Sequence, residues 1–217
     1  MALIENLIKQ GYLKTPQIIE AFKKIKRVDF LPDNLKDLAE LNEALPIGFG
    51  QTISQPLVVA FMLELLQPMP GDKILDVGFG SGWTTALLAY IVSQKSITNS
   101  QSPISKQKGR VIAIELVPEL KEFGEKNIAK YNFIEKGIVK CLCADGSKGC
   151  PQEAPFDKIL ASASAEQLPP AWLEQLKIGG RIVTPIGNSI WLFIKETKNK
   201  IKKQEYPGFV FVPLIEK

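Results

Sequence analysis

A glycine-rich loop with an acidic residue before it is the part of this sequence best suited to binding a ligand. Asp76 is followed by glycines at positions 78, 80 and 82, where a predicted strand over 73–77 turns into a predicted helix over 83–93. Glycine at such a turn lets the backbone approach a ligand closely, because it has no Cβ. Trp83 stands where a dinucleotide fingerprint has its third glycine, and a carboxylate at position 76 would repel a pyrophosphate but attract an ammonium group.

Two further acids stand at the ends of the next two predicted strands. Glu115 ends the second strand, where an acid in a βαβ nucleotide fold accepts hydrogen bonds from ribose hydroxyls. Asp145 follows the third strand and could accept from an exocyclic amine, although each acid alone could equally be a helix cap or a loop residue. Together the acids suit a ligand with an ammonium group, a ribose and an adenine but no phosphate, a description that S-adenosylmethionine fits. The predicted binding residues are Asp76, Gly78, Gly80, Ser81, Gly82, Glu115, Asp145 and Gly146.

The alternation of strands and helices after residue 72 is typical of an α/β fold. Apolar runs between glycine, proline and polar clusters predict a doubly wound, mainly parallel, Rossmann-like sheet covered on both faces. After Gly187, two strands with no helix between them predict a C-terminal antiparallel pair. The predicted strands are 73–77, 110–115, 138–143, 157–161, 181–185, 189–196 and 208–214, and the predicted helices are 83–93, 118–131 and 169–176.

The first seventy residues predict short helices and a loop that precede the sheet. Thr15 has the residue type and position of an N-cap, with Pro16 as the first residue of a helix that continues over 17–26. A glycine-containing loop follows over 46–53, and Ser54 is the predicted N-cap of an apolar helix that continues to about Gln67.

We therefore expect one domain, 1–217, with three segments. They are an N-terminal helical segment over 1–70 with an active-site loop at 46–56, an S-adenosylmethionine-binding core over 71–187 and C-terminal strands over 188–217. Residues 94–109 are polar and rich in serine, which predicts a surface insertion within the core segment.

The composition excludes several kinds of chemistry. The 217 residues include no histidine, so a Ser-His-Asp or Cys-His nucleophile system and a zinc site with histidine ligands are excluded. Three cysteines fit a reducing compartment and are interpreted as two core residues on a strand and a loop thiol, so no metal is expected. No apolar run reaches the roughly 18 residues that a membrane span needs, and the N-terminus does not resemble a secretory signal, so we expect a cytoplasmic protein.

The net charge of +4 indicates little about partners. Basic residues concentrate at the two ends and in the 94–109 segment, and only three of the 27 are arginine. This distribution favours a solvated surface over a phosphate-binding stripe. We expect no nucleic-acid or membrane partner, and a monomer.

Residues 50–56, Gly-Gln-Thr-Ile-Ser-Gln-Pro, resemble the signature segment of the protein-L-isoaspartate O-methyltransferases. The similarity covers roughly residues 15–217, and residues 50–56 are far more specific than the glycine loop. It continues through residues 64–66, 76–82, 144–146, 154–157, 173–177, 179–181 and 211–214. Residues 39–42 and 162–164 depart from the family's usual pattern, and the 94–109 segment is longer than usual.

The resemblance implies a Rossmann-like methyltransferase that transfers methyl from S-adenosylmethionine to the α-carboxyl of L-isoaspartyl residues in damaged proteins, as a step of protein repair. It implies that Ser54 is the active-site serine and contacts the substrate, and that Thr52 and Ile53 line the cofactor pocket. It also implies that Val212 and Pro213 lie on a C-terminal strand beside the peptide-binding cleft.

This chemistry is compatible with a chain that lacks histidine. A carboxylate has an unperturbed pKa near 4, so it is ionised at pH 7 and needs no general base before it attacks a methyl group. The protein has only to hold it in place, and Ser54 at a helix N-terminus could orient an anion. The spacing alone favours Ser54 as no more than a helix cap, and the resemblance reverses that preference.

Other functions stay open at this stage. One is a methyltransferase that uses S-adenosylmethionine on a different acceptor, a small-molecule carboxylate or an RNA base, and another is a non-catalytic homologue that binds S-adenosylmethionine or a peptide. A nicotinamide-dependent dehydrogenase is disfavoured by Trp83 and by the missing imidazole.

Overall fold

The structure, a computed structural model, describes residues 2–95 and 108–216, which fold around a seven-stranded sheet with a separate two-stranded hairpin. The hairpin strands are β1 (Leu45–Gly48) and β2 (Gln51–Ile53). The sheet contains β3 (Lys73–Val77), β4 (Arg110–Glu115), β5 (Val139–Cys143), β6 (Phe156–Ala161), β7 (Leu176–Ile186), β8 (Ser189–Lys195) and β9 (Ile201–Pro207). The α-helices are α1 (Ala2–Lys9), α2 (Pro16–Lys24), α3 (Pro56–Leu66), α4 (Trp83–Ser93), α5 (Pro118–Ala129) and α6 (Pro170–Gln175).

The strands of the sheet lie in the order β5-β4-β3-β6-β7-β8-β9. Neighbours from β5 to β7 pair in parallel, whereas β8 runs antiparallel to both β7 and β9. The chain order reverses between β3 and β6, so the loops at their carboxyl ends diverge and leave a crevice, the place where open α/β sheets bind ligands. The predicted fold class is confirmed, including the C-terminal antiparallel pair.

The two faces of the sheet are covered unequally. Because side chains alternate along a strand, Ile74 of β3 joins a large apolar cluster that includes residues of α1 to α5, whereas Leu75 and Val77 join a smaller cluster on the opposite face. The smaller cluster includes Trp172 of the short helix α6, which is fully buried. The longer helices therefore all support the sheet from one side.

Element boundaries were predicted best in the central part of the sheet. The bounds of β3, α4 and β4 are those expected from the sequence. Strand β7 begins at Leu176 rather than at residue 181, and it includes Gly179, whose φ is +82°. Its pairing with β6 is irregular there, with a register shift between Phe156 and Lys158.

Two predictions outside the centre are wrong. Residues 46–53, expected to be a loop, form most of the β1–β2 hairpin, whose register shifts between Pro46 and Gly48. The last strand is Ile201–Pro207, and the expected strand over 208–214 makes only one isolated bridge, between Ser164 and Pro213. Strand β9 is exposed and rich in lysine, a composition that protects a sheet edge from pairing with other strands. Such a sequence lacks the alternation of apolar and polar residues by which a strand is predicted.

Thr15 occupies the predicted N-cap position of α2, but its side chain makes no cap hydrogen bond. Its hydroxyl donates to Glu64 Oε2 at 2.7 Å, and its backbone N–H donates to Glu64 Oε1 at 2.8 Å. Thr15 therefore links the start of α2 to α3. Its hydroxyl binds the ionised carboxylate of Glu64 in preference to a backbone N–H of its own helix, because a hydrogen bond to a charged group is stronger.

The predicted surface insertion over 94–109 falls mostly on residues 96–107, which lie outside the described residues. Among the residues that the structure does describe, no helix is long and apolar enough to cross a membrane.

Candidate active site

A cavity of about 410 Å³ lies at the carboxyl ends of β3, β4 and β6. The loops after these strands line it together with the β2–α3 junction and the C-terminal segment 210–215. The cavity therefore brings together most of the residues that the sequence predicted. Three predicted residues, Asp76, Gly82 and Asp145, do not line it. The predicted residues that line the cavity are Thr52, Ile53, Ser54, Gly78, Gly80, Ser81, Glu115, Gly146, Val212 and Pro213.

Two glycines of the loop have different tasks. Gly80 lines the cavity with φ +48°, and an added Cβ would lie 3.3 Å from Ile47 Cδ1 of the hairpin. Gly82 has φ +85°, and its Cβ would lie 2.7 Å from Ile128 Cγ1 and 2.8 Å from the carbonyl oxygen of Gly124. Gly82 is thus required for the packing of α4 against α5. A side chain at this position would have an unfavourable positive φ, and its Cβ would overlap atoms of α5.

Glu115 is held by three backbone N–H groups. Its Oε2 accepts from Gly80 at 2.9 Å, and its Oε1 accepts from Leu116 at 2.8 Å and from Val117 at 3.1 Å. The side chain is buried but lines the cavity, so its orientation is fixed, and Oε2, which accepts only one of the three N–H groups, can accept a further hydrogen bond. A carboxylate held in this way can accept from a hydroxyl in the cavity.

Asp76 lies beneath the loop and not in the cavity. It is fully buried, and its Oδ2 accepts from the Thr85 hydroxyl at 2.6 Å, whereas its Oδ1 has no hydrogen-bond partner among residues 2–95 and 108–216. The pKa of this carboxyl is raised to about 7, mainly because burial disfavours its charged form. The hydrogen bond from Thr85 lowers the pKa, and the negative charge of Glu115 raises it by a smaller amount. A direct contact between Asp76 and a ligand in the cavity is therefore not part of this geometry.

Asp145 turns away from the cavity and organises its own loop. Its Oδ1 accepts from the Ser147 N–H at 2.9 Å and from the Ser147 hydroxyl at 2.7 Å, and its Oδ2 lies 3.2 Å from Lys148 Nζ. The acid thus shapes the loop after β5, whose Ala144 and Gly146 line the cavity.

Helix α6 fixes the same loop from the thinly covered face of the sheet. Trp172 Nε1 donates to the Gly146 carbonyl at 2.9 Å, and Gln175 Oε1 accepts from the Cys150 N–H at 2.7 Å. Both side chains are buried, so these hydrogen bonds are shielded from water. The sequence did not predict the hydrogen bond of Trp172 to the loop.

Ser54 lines the cavity but is not the N-cap of α3. The helix begins at Pro56 with Gln55 as its N-cap residue. The N–H of Leu57, in the first turn of the helix, donates to Asn42 Oδ1 at 2.9 Å. The predicted cap is wrong because a distant segment supplies the acceptor. The Ser54 hydroxyl makes no hydrogen bond with the described part of the chain.

Arg27 is a buried residue near the site that the sequence analysis missed. Within the described residues its guanidinium donates to backbone carbonyls alone, those of Ala39, Leu41, Glu43 and Ser54, at 3.2, 3.0, 2.7 and 3.3 Å. The sequence does not single it out, because Arg27 stands beside Lys26 in a stretch that is rich in charged residues.

The C-terminal segment reaches the cavity by pairing with the loop after β6. The Ser164 N–H donates to the Val212 carbonyl and the Leu214 N–H donates to the Ser164 carbonyl, each at 2.8 Å. Val212 and Pro213 are held at the cavity without a regular strand. Ser162 and Ala163 of the same loop also line it.

The cysteines differ from the sequence interpretation. Cys150 in the loop is buried, whereas Cys143 at the end of β5 is exposed and Cys141 is half-buried. Within residues 2–95 and 108–216, no three His, Cys, Asp or Glu side chains are grouped so that they could hold a metal ion.

Comparison with known proteins identifies the family. The whole chain, residues 1–217, matches the family model described as protein-L-isoaspartate(D-aspartate) O-methyltransferase (PCMT). The chain belongs to the PCMT family. This membership confirms the resemblance seen in residues 50–56 and in the glycine loop.

Its PCMT relatives match it over most of their length. A protein-L-isoaspartate O-methyltransferase from Methanopyrus kandleri is 42% identical, and the match covers 98% of this chain and 89% of that protein. One from Aeropyrum pernix is 39% identical over 99% of this chain and 78% of that protein.

A solved structure has the same fold. A PCMT from Plasmodium falciparum, crystallised in complex with S-adenosyl-L-homocysteine, superimposes with a TM-score of 0.85 at 23% identity and covers 100% of this chain and 98% of that one. At this identity the likeness is one of fold.

Proposed function

We propose that this PCMT-family chain transfers a methyl group from S-adenosylmethionine to the α-carboxyl of L-isoaspartyl residues in damaged proteins or peptides. The observation that carries the proposal is the union, in one cavity, of the family-specific 52–54 segment with the glycine loop and Glu115. The first group suits a carboxylate acceptor, and the second suits a nucleoside without phosphate.

The residues of the cavity fit S-adenosylmethionine. Glu115 has a fixed Oε2 that can accept from a ribose hydroxyl, and Gly78 and Gly80, both with positive φ, leave the loop without Cβ atoms that would reduce the space for a ligand. Gly146 lines the same cavity where an adenine could be reached. When bound, S-adenosylmethionine supplies a sulfonium methyl group that an ionised carboxylate can accept without loss of a proton.

We propose that Ser54 orients the acceptor. Its hydroxyl is free of protein partners within the described residues and can donate to the carboxylate of isoaspartate. A single well-directed donor fixes the carboxylate while leaving its other oxygen available, so the gain is one of proximity and alignment. Thr52, Ile53, Val212 and Pro213 enclose the same space and would limit the access of water.

The same proposal divides the chain by task. Residues 71–187 would bind the cofactor, residues 46–56 and the end of the 188–217 segment would bind the acceptor, and the chain would act as a cytoplasmic monomer. Analytical ultracentrifugation of the purified protein would test the last point, since a sedimenting dimer contradicts it.

A labelling experiment tests the reaction itself. The protein is incubated with methyl-labelled S-adenosylmethionine and two peptides that differ only in aspartate or isoaspartate at one position. We expect base-labile label on the isoaspartyl peptide alone, because a methyl ester is hydrolysed by base. Cofactor binding without transfer to either peptide would contradict the proposal.

A further inference from the structure

The N-terminus of α3 is capped from outside the helix. Pro56 has no N–H, so Leu57 presents the first free one, and its acceptor is Asn42 Oδ1 at 2.9 Å. The residue that supplies a cap usually stands directly before the helix, whereas Asn42 precedes Leu57 by 15 residues. Gln55 Nε2 donates to the Asn42 carbonyl at 2.8 Å, so the two segments are joined twice.

Arg27 holds Asn42 in this place. Its Nη1 donates to the Leu41 carbonyl at 3.0 Å and its Nη2 donates to the Glu43 carbonyl at 2.7 Å, on the two sides of Asn42. The guanidinium also lies over the Trp83 ring, 5.5 Å from its centroid. The backbone around Asn42 is therefore fixed from both directions.

The charge of Arg27 makes this arrangement rigid. The side chain is 6% exposed, and burial lowers its pKa to about 10, so it is still protonated at neutral pH. A buried cation is costly unless acceptors satisfy it, and within the described residues those acceptors are carbonyls of the 39–43 loop and of Ser54. Movement of the loop would leave the charge without partners.

The external cap has a consequence for Ser54. Serine hydroxyls readily accept hydrogen bonds from backbone N–H groups two or three residues further along the chain. Without Asn42, the Ser54 hydroxyl would compete for the Leu57 N–H and turn away from the cavity.

We propose that Asn42, held by Arg27, is a positioning residue that occupies the Leu57 N–H and so keeps the Ser54 hydroxyl available to the acceptor carboxylate. The inference rests on the proposed function, because it depends on the role given there to Ser54.

Steady-state kinetics of Asn42→Ala test it. The kcat on an isoaspartyl peptide should fall about fivefold, the factor that corresponds to diversion of the hydroxyl into a cap of typical strength. The Kd for S-adenosylmethionine should keep its wild-type value, since Asn42 does not line the cavity. Asn42→Asp retains an acceptor oxygen and should restore kcat.

The decisive variant is Asn42→Ala combined with Ser54→Ala. If Asn42 acts through the Ser54 hydroxyl, the Asn42→Ala substitution lowers kcat only while that hydroxyl is present. The double variant should therefore have the same kcat as Ser54→Ala alone. A purely structural role for Asn42 would instead lower kcat by the same factor in both backgrounds.

Arg181→Met is the matched control. Arg181 Nη1 donates to the Leu65 carbonyl at the other end of α3 at 2.8 Å, so the variant loosens the same helix without touching its N-terminus. It should lower the Tm and leave kcat unchanged. If Asn42→Ala does not fold, Arg27→Lys replaces it, because lysine keeps the charge but cannot reach four carbonyls, and the same dependence on Ser54 is expected.

Equal losses of kcat with and without the Ser54 hydroxyl, or no loss in Asn42→Ala, would overturn the inference and leave the proposed function intact. Failure of the wild-type protein to methylate the isoaspartyl peptide would instead overturn the proposed function, and this inference with it.

Discussion

The two halves of the cavity are built in different ways. The cofactor half consists of the glycine loop, Glu115 and Gly146, each of which directly follows or ends a parallel strand. The acceptor half consists of residues 52–54 and 210–215, which are far apart in the sequence. It is held by Arg27 and Asn42 on one side and by Ser164 on the other.

This difference shows why one half is easier to infer than the other. In the cofactor half each residue has its position from the strand that precedes it, so spacing along the chain predicts spacing in the fold. In the acceptor half the residues depend for their positions on hydrogen bonds that join residues 13 to 50 positions apart, and no local pattern specifies them. Variants in the two halves should therefore affect different measurements.

The largest effect is expected for Gly82→Ala in the cofactor half. The added Cβ would lie 2.7 Å from Ile128 at a φ of +85°, so backbone strain and overpacking together should lower the free energy of unfolding by about 4 kcal/mol. Urea denaturation measures the change. Gly179→Ala is the control, because its φ of +82° is similar but no atom of the described residues lies within 4 Å of the new Cβ. An equal loss in both variants would show that packing against α5 is unimportant.

Glu115→Gln should come next, with a rise of about thirtyfold in the Kd for S-adenosylmethionine, because a charge-assisted acceptor for the ribose is lost. Isothermal titration measures it. Glu64→Gln is the matched control, since Glu64 also accepts from three donors, the Lys14 N–H and the N–H and hydroxyl of Thr15, but lies outside the cavity. Similar Kd values for S-adenosylmethionine in both variants would show that Glu115 does not bind the cofactor.

Ser54→Ala in the acceptor half should lower kcat on an isoaspartyl peptide about tenfold through loss of a hydrogen bond to a charged group. The Tm should not change, because Asn42 caps the helix. An N-cap role for Ser54 would instead lower the free energy of unfolding by about 1 kcal/mol. A stable variant with wild-type kcat would contradict the proposed role of the hydroxyl.

The smallest effect concerns pH and Asp76. Its folded-state pKa is raised from 3.8 to about 7, so the folded state binds the proton more tightly than the unfolded state does. This contribution to stability is complete below pH 3.8 and is lost as pH rises towards 7. Between pH 5 and 6 the free energy of unfolding of the wild type should fall by about 1 kcal/mol relative to Asp76→Asn. Parallel pH profiles of the two proteins would contradict the buried, titrating carboxyl.

Much of the fold followed from local patterns. The bounds of β3, α4 and β4 were predicted because apolar runs of strand and helix length alternate there between clear breakers. Strand β9 was missed because its exposed, lysine-rich sequence lacks the alternation that a half-buried strand shows. The hairpin β1–β2 was missed because its strands are short and β1 contains proline and glycine.

The predicted site was found only in part, for a related reason. Glu115 lines the cavity because it ends a strand, whereas Asp76, one residue before the end of β3, projects into the core towards Thr85. The ends of β3 and β4 were predicted correctly, so the error lies in the direction of the Asp76 side chain, which the tertiary contact with Thr85 of α4 decides.

The sequence by itself determined the family, the α/β class and the chemistry that a chain without histidine can perform. It could do so because a glycine loop after a strand and the 50–56 segment are continuous in the chain. Only the tertiary structure decided which residues face the cavity, what caps α3 and how Ser54 comes to have a free hydroxyl. Those features depend on hydrogen bonds between distant segments, and such bonds form only after the chain has folded.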